Sequence, residues 1–263
     1  MVLVLIMDEK ERLESFSPFY VKGDYMDELS TDRQIELIQQ YPRCGNPWNT
    51  KIALEVGCGN GYSTERLCKI FPDYEVIEPS KNNIELLNQR VPGLTIHNVL
   101  LEDFIPQHKY DYIFFLNIIE HVIDPVACLK ILADLIKDVG LIFISSPNGM
   151  SLNRRAGLLM GLLDSYETLA PKDHQVGHRR LYTVNMLTDH CNQAGLEVLE
   201  MKGIYLKPLS EKQMYELGDK AIRAFHELGE EIPEYCATIM AIATKKYHWK
   251  ELDVYMEKVR EYI

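Results

Sequence analysis

The chain has 263 residues, 46% of them hydrophobic and 25% charged, with a net charge of −11 at pH 7. That length buries an ample core as one large α/β domain or two small ones, and a single domain is the simpler expectation. The acidic balance disfavours sequence-independent binding to nucleic acid or to an anionic membrane surface, and no run approaches the ~18 consecutive apolar residues that cross a bilayer.

In chain order, Val2 to Met7 is too short for a signal core and has no basic residues before it, so it reads as a packing segment. Helical spacing marks about residues 9–16 and 32–40, ahead of the breaker cluster Pro42-Arg43-Cys44-Gly45-Asn46-Pro47. Residues 1–47 are therefore expected to form an N-terminal helical cap. From residue 48 apolar strands alternate with helical patterns: strands at 52–56, 75–78, 95–98, 111–116 and 140–145, helices near 62–70, 80–90 and 125–137. Such alternation predicts an α/β fold whose parallel sheet is covered on both faces.

Between Pro147 and Arg180 the strand rhythm disappears, so 149–181 is expected to be a helical insertion over the active site. A helix from about Val184 to Ala194, a strand at 197–201, a helix near 211–228 and a strand at 238–244 follow, which fits an antiparallel pair at the sheet edge. The domain is expected to close at 246, with 247–263 as a charged amphipathic helix. Six cysteines, at 44, 58, 68, 128, 191 and 236, show no Cys-x-x-Cys pair, which suits a reducing cytoplasm and argues against structural zinc.

The most informative stretch is Glu55-Val56-Gly57-Cys58-Gly59-Asn60-Gly61, where an apolar strand runs into three alternating glycines and then a helix. Glycines there let a ligand lie against bare peptide at the strand's carboxyl end. A dinucleotide fingerprint wants G-x-G-x-x-G, so a nicotinamide dehydrogenase is the rival that this spacing disfavours. Glu78 closes the second strand, 23 residues after Glu55, where a carboxylate can accept from both hydroxyls of a ribose. Glu102-Asp103-Phe104 follows the third strand and Asn117 the fourth.

This segment resembles motif I of the class I S-adenosylmethionine (SAM) dependent methyltransferases. Glu78-Pro79-Ser80 and Glu120-His121-Val122 with Asp124-Pro125 resemble the subgroup of quinone-precursor and sugar methyltransferases. The resemblance implies a Rossmann-like seven-stranded sheet, mostly parallel with an antiparallel last strand. It implies SAM as cofactor, with S-adenosylhomocysteine (SAH) as product. Glu55, Gly57, Gly59, Gly61, Glu78 and Pro79 would hold methionine and ribose, Asp103 and Phe104 the adenine, and Asn117 the sulfonium side. Phe19, Tyr20 and Tyr25 lie where the family's N-terminal segment closes over the cofactor.

Transfer to a hydroxyl leaves a proton to remove, and histidine titrates in the right range. His121 is the preferred base with His178 in support; His174 and His178 share the spacing of one helical turn in the insertion. Asn117-x-x-Glu120-His121 also resembles a Glu/His cluster that small-RNA 2′-O-methyltransferases place around a divalent ion. Asn117 stands where that pattern has a carboxylate, so no metal is expected. Residues 151–180 carry Arg154, Arg155, Lys172, Arg179 and Arg180 against Asp164, Glu167 and Asp173, a net +2 that leaves −13 on the rest. Guanidinium groups bind phosphate bidentately, so a small phosphate-bearing acceptor is expected, with Arg154, His174, Arg179, Arg180 and Tyr182 near it. Leu206-Lys207-Pro208-Leu209-Ser210 extends the resemblance towards bacterial enzymes of surface polysaccharide synthesis. The combined expectation is O-methylation of a nucleotide-linked sugar by a cytoplasmic enzyme, with oligomeric state, including a homodimer, left open. An N-methyltransferase of amines or peptide amino termini, and a non-catalytic SAM-binding partner protein, are the alternatives.

Overall fold

The structure is a computed structural model that describes residues 8–20, 25–41 and 51–246. Five strands run parallel: β1 (Ile52–Val56), β2 (Asp73–Ile77), β3 (Thr95–His97), β4 (Tyr110–Leu116) and β5 (Ile136–Pro147). β6 (Leu196–Gly203) and β7 (Thr238–Lys245) complete the sheet, in the order β3-β2-β1-β4-β5-β7-β6. β7 inserts between β5 and β6 and is antiparallel to both. The expected seven-stranded Rossmann-like sheet with an antiparallel last strand is thus present.

Leu54, Ile113, Phe114 and Phe115 are fully buried, because helices cover both faces of the central strands. On one face pack α2 (Tyr25–Ile38), α3 (Tyr62–Ile70) and α4 (Lys81–Arg90); on the other, α5 (Pro125–Leu135) and α8 (Val184–Gln193). Their starts are encoded locally. Ser80 accepts from the Asn83 amide, Asp124 from Ala127 with Pro125 at the first helical position, and Thr183 from Met186. α1 (Glu9–Tyr20) lies ahead of the sheet. α6 (Leu152–Leu159) and the short α7 (Pro171–Gln175) occupy the expected insertion, and α9 (Glu211–Leu217) and α10 (Asp219–Glu230) stand between β6 and β7.

Three elements differ from the sequence expectation. The helix expected over 211–228 is two helices, because Gly218 takes φ 78° and ψ 166°, which no helix accommodates. β5 begins at Ile136, not near 140, through the charged Lys137-Asp138, which carry no apolar signal; Lys137 Nζ instead pairs with Asp111 at 2.7 Å. α2 starts at Tyr25, well ahead of residue 32, across a polar stretch. The breaker cluster at 42–47, Val2 to Met7 and the C-terminal helix at 247–263 lie outside the described residues.

The strand order reverses between β1 and β4, and at such a switch point loops on the carboxyl rim part to leave a crevice. β6 approaches α10 closely at Gly203, where an added Cβ would collide with the Gly229 carbonyl oxygen and stand 2.5 Å from Cys236 Sγ. Gly203→Ala should therefore lower stability by about 1–3 kcal/mol. The check is a urea titration, in which the midpoint falls while the m-value holds.

Candidate active site

A cavity of about 700 Å³ opens at the switch point, walled by the residues that follow β1, β2, β3 and β4 and roofed by α1, α2 and part of the insertion. Its two ends differ in chemistry, and Asn117 stands between them.

At one end lies the glycine loop. Gly57, Gly59 and Gly61 all have positive φ, at 78°, 51° and 77°. A Cβ on Gly57 would strike Ile118, and one on Gly61 would stand 2.9 Å from Leu87, so these two glycines are required by packing. A Cβ on Gly59 would meet nothing within 4 Å, so this glycine keeps space open on the cavity side. Beside it Glu78 is 3% exposed: Oε2 accepts from the Cys58 amide at 3.0 Å and Oε1 from Ser80 at 2.9 Å. Burial raises the pKa of this carboxyl, and those bonds oppose the rise. Asn83 also lines the cavity, and its buried Oδ1 has no partner among the described residues.

Glu55 is elsewhere. It is 1% exposed beneath the loop, where Ser63, Thr64 and Tyr74 hydroxyls donate to it at 2.6, 2.5 and 3.1 Å. Burial lifts its pKa to about 6 against those three donors. It braces the turn from β1 to α3 and does not line the cavity. Asp103 and Phe104 are likewise displaced, because a short helical turn over Leu101–Asp103 presents Leu101 and Glu102 to the cavity; Phe104 packs on His97 at 4.8 Å. Pro79 and Phe19 line the cavity; Tyr25 donates instead to Asp219.

At the other end Asn117 leaves β4 with φ 54°, a conformation asparagine tolerates better than most residues. Its amide donates to the Ser145 carbonyl at 3.0 Å, and the chain turns back so that Glu120, His121 and His178 meet. Oε1 of Glu120 lies 3.9 Å from Nε2 of His121 and 3.9 Å from Nε2 of His178, and the rings stand 4.8 Å apart. Glu120 is fully buried; the Ser146 hydroxyl interacts with its carboxyl, but neither oxygen makes a hydrogen bond of normal geometry among the described residues. Burial moves its pKa up to about 7 and that of His121 down to about 3. His178 Nδ1 lies 3.0 Å from Asp173 Oδ1. Burial pushes the Asp173 carboxyl up, but bonds from His178 and the Ala170 amide hold it below the usual range. An ionised Asp173 makes Nδ1 of His178 the donor and turns Nε2 towards Glu120.

The insertion's arginines have other work than expected. The Arg179 amide donates to Glu120 O and its Nε to His121 O, while its guanidinium pairs with Glu9 at 2.7 Å. Arg180 donates to the carbonyls of Ile119, Val122 and Ile123. Arg154 bonds the carbonyls of Gly149, Tyr166 and Thr168 inside the insertion. Tyr182 is fully buried with its hydroxyl 3.1 Å from His190 Nδ1, and His174 is exposed outside the cavity wall. None of these five lines the cavity. The insertion contributes Lys172, Asp173, Val176 and His178 instead. Asp173 enters the sequence reading only as one charge of the insertion, and Glu120 only as part of the Glu120-His121 motifs; that the two flank His178 has no local signal.

A family model described as "Methyltransferase domain" matches residues 31–201. The chain belongs to that family and is a SAM-dependent methyltransferase. Curated relatives include the ubiquinone biosynthesis O-methyltransferases of Haemophilus ducreyi, 30% identical over 62% of this chain and 72% of theirs, and of Dinoroseobacter shibae, 28% identical over 66% and 71%. Among solved structures, the methyltransferase complexed with the Haloferax volcanii Trm112 activator has a TM-score of 0.62 at 13% identity, covering 90% of this chain and 98% of that one. The N-methyltransferase NodS of Bradyrhizobium japonicum, solved with SAH, has a TM-score of 0.57 at 12% identity over 92% of this chain and all of that one. At such identities these two establish a shared fold.

The open space at Gly59 and the buried, unpartnered Asn83 Oδ1 fit a ligand with both bare-backbone and polar contacts. Asparagine tolerates left-handed backbone, so Gly59→Asn should keep the fold yet weaken SAH binding at least about tenfold, or about 1.4 kcal/mol, by calorimetry. Arg180→Ala should lower stability by about 1–3 kcal/mol, read as a falling urea midpoint. Arg180→Lys should restore little of that loss, because one ammonium does not reproduce a planar fork reaching three carbonyls.

Proposed function

We propose that the protein methylates a hydroxyl of a small acceptor, with cofactor and acceptor entering opposite ends of the same crevice. The observation that supports this is the pairing, across Asn117, of a glycine loop with open space at Gly59 and a Glu120–His121–His178 cluster. Gly57, Gly59, Gly61, Glu78, Pro79 and Asn83 would hold the methionine and ribose of SAM, Leu101 and Glu102 would flank the adenine, and Asn117 would face the sulfonium. SAM brings a methyl already activated by the sulfonium. The chain's own task is then to align the acceptor oxygen and to handle its proton. His121 and His178 would do so, with Asp173 holding the His178 ring in orientation through Nδ1.

The cavity wall also includes Leu13, Phe16 and Phe19 of α1 with Glu9, Asp27, Glu28 and Asp173. That wall suits an uncharged acceptor with an apolar portion. The nucleotide-sugar expectation loses its arginines to backbone carbonyls and would depend on Lys172 and Lys207, of which Lys172 faces Asp27 at 3.6 Å. The curated relatives, named for ubiquinone biosynthesis, lend it no support and favour O-methylation of a different acceptor class. The same acidic wall favours a second reading, methylation of an ammonium-bearing acceptor.

One mass-spectrometric assay separates these readings: SAM with phenols, nucleotide sugars, sugar phosphates and amines, scored for gain of one methyl. Methylation of phenolic hydroxyls is the expected result. Signal confined to amines would replace it with the second reading, and signal on nucleotide sugars would restore the phosphate-bearing acceptor. His178→Ala should lower kcat about 10²–10⁴-fold while SAH affinity holds; an unchanged kcat would remove His178 from the chemistry.

A further inference from the structure

We propose that Gln34, on α2, binds the acceptor: its side-chain amide donates a hydrogen bond to an oxygen other than the one methylated, which selects acceptors that carry a second oxygen. The proposal deepens the functional reading above and rests on it for the place of the acceptor beside Asn117.

Gln34 is 1% exposed and yet lines the cavity. Its Oε1 accepts from the Ser145 hydroxyl at 2.7 Å, the usual length of an O–H···O bond and short for N–H···O. That hydroxyl in turn accepts from the Asn117 amide at 3.1 Å and stands 3.4 Å from Asn117 Oδ1. The single hydroxyl proton therefore goes to Gln34, which fixes the orientation of the carboxamide. Its nitrogen is the end left over, and among the described residues that nitrogen donates no hydrogen bond. A buried N–H without an acceptor costs free energy, and a ligand oxygen in the cavity removes the cost.

Position in the fold assigns this donor to the acceptor rather than to the cofactor. The glycine loop and Glu78 follow β1 and β2, whereas Ser145 lies on β5, on the far side of β4 from both. Ser145 and Ser146 are consecutive on that strand, so their side chains face opposite sides of the sheet. Ser145 holds Gln34, and Ser146 interacts with the Glu120 carboxyl. Gln34 and the Glu120–His121–His178 cluster thus flank the end of β5 from its two faces. The reacting oxygen gives a lone pair to the methyl and its proton to the histidines, and a hydrogen bond donated to it would withdraw charge from the nucleophile. A donor on the opposite face therefore serves a second oxygen. A neutral N–H there also matches an uncharged oxygen and has nothing to offer an ammonium, which is a donor only.

The test uses the full chain saturated with SAH, with phenol and ortho-, meta- and para-methoxyphenol as probes. Calorimetry on the wild-type protein should show at least one methoxyphenol bound about fivefold or more tighter than phenol. Gln34→Met removes the donor, and Gln34→Glu keeps an acceptor for Ser145 while presenting no N–H. Both should bring that ratio to about one while SAH affinity holds. A merely structural loss weakens all four phenols together and leaves the ratio standing, so the ratio isolates the hydrogen bond. With SAM in place of SAH, the same variants should raise KM for the preferred methoxyphenol and leave KM for phenol unchanged. Equal binding of all four probes by the wild-type protein, or a ratio that survives in both variants, would overturn the proposal. A ratio lost in the variants without methylation of any phenol would sink the functional reading alone. Methylation of phenols with a ratio indifferent to Gln34 would sink this inference alone.

Discussion

The arrangement of the acceptor end depends on how the end of the insertion is fastened to the loop between β4 and α5. That loop turns through residues 117–124 with its carbonyls pointing away from regular structure, and buried carbonyls need donors. Arg179 and Arg180 supply them, from one amide and two guanidinium groups, to five consecutive residues from Ile119 to Ile123. Because His178 immediately precedes this clamp, the same bonds bring its imidazole to Glu120 and His121. Arg179 also reaches Glu9, which ties α1 to the arrangement. A guanidinium serves here because its rigid fork can reach several carbonyls at once.

The cofactor end is organised differently, by backbone conformation backed by a buried polar brace. Three positive-φ glycines shape the turn, and Glu55 beneath them gathers three hydroxyls, two from the first turn of α3 and one from Tyr74 on β2. A buried carboxylate is tolerable when its lone pairs are filled, and these bonds also fix where the helix begins relative to the strand. Glu78 does the same for the next crossover through Ser80 and Asn83, while still facing the cavity. Two acidic residues in similar sequence positions thus end with different roles, one beneath the loop and one at the ligand.

Charge shows the same division between composition and placement. The insertion is basic as a string, yet Arg154, Arg179 and Arg180 are all committed to protein carbonyls, and the cavity wall nearby is acidic. Net charge over a segment reports what is present; it carries no information about which partner each guanidinium finds in three dimensions.

The sequence by itself determined most strands and helices and the glycine loop, because strand hydrophobicity, helix caps and glycine requirements act over a few neighbouring residues. The extents of α3 and β1, and the antiparallel β7, are legible for that reason. Less legible are the break at Gly218, hidden because a helical pattern flanks it on both sides, and the early start of β5 through charged residues. What the tertiary structure decided is which side chains meet. Glu120 and His178 are 58 residues apart in the numbering, and Arg179 finds its carbonyls across that same gap. Contacts at such separation leave no local periodicity, so the cluster of Glu120, His121, His178 and Asp173 exists only once the insertion folds back onto β4.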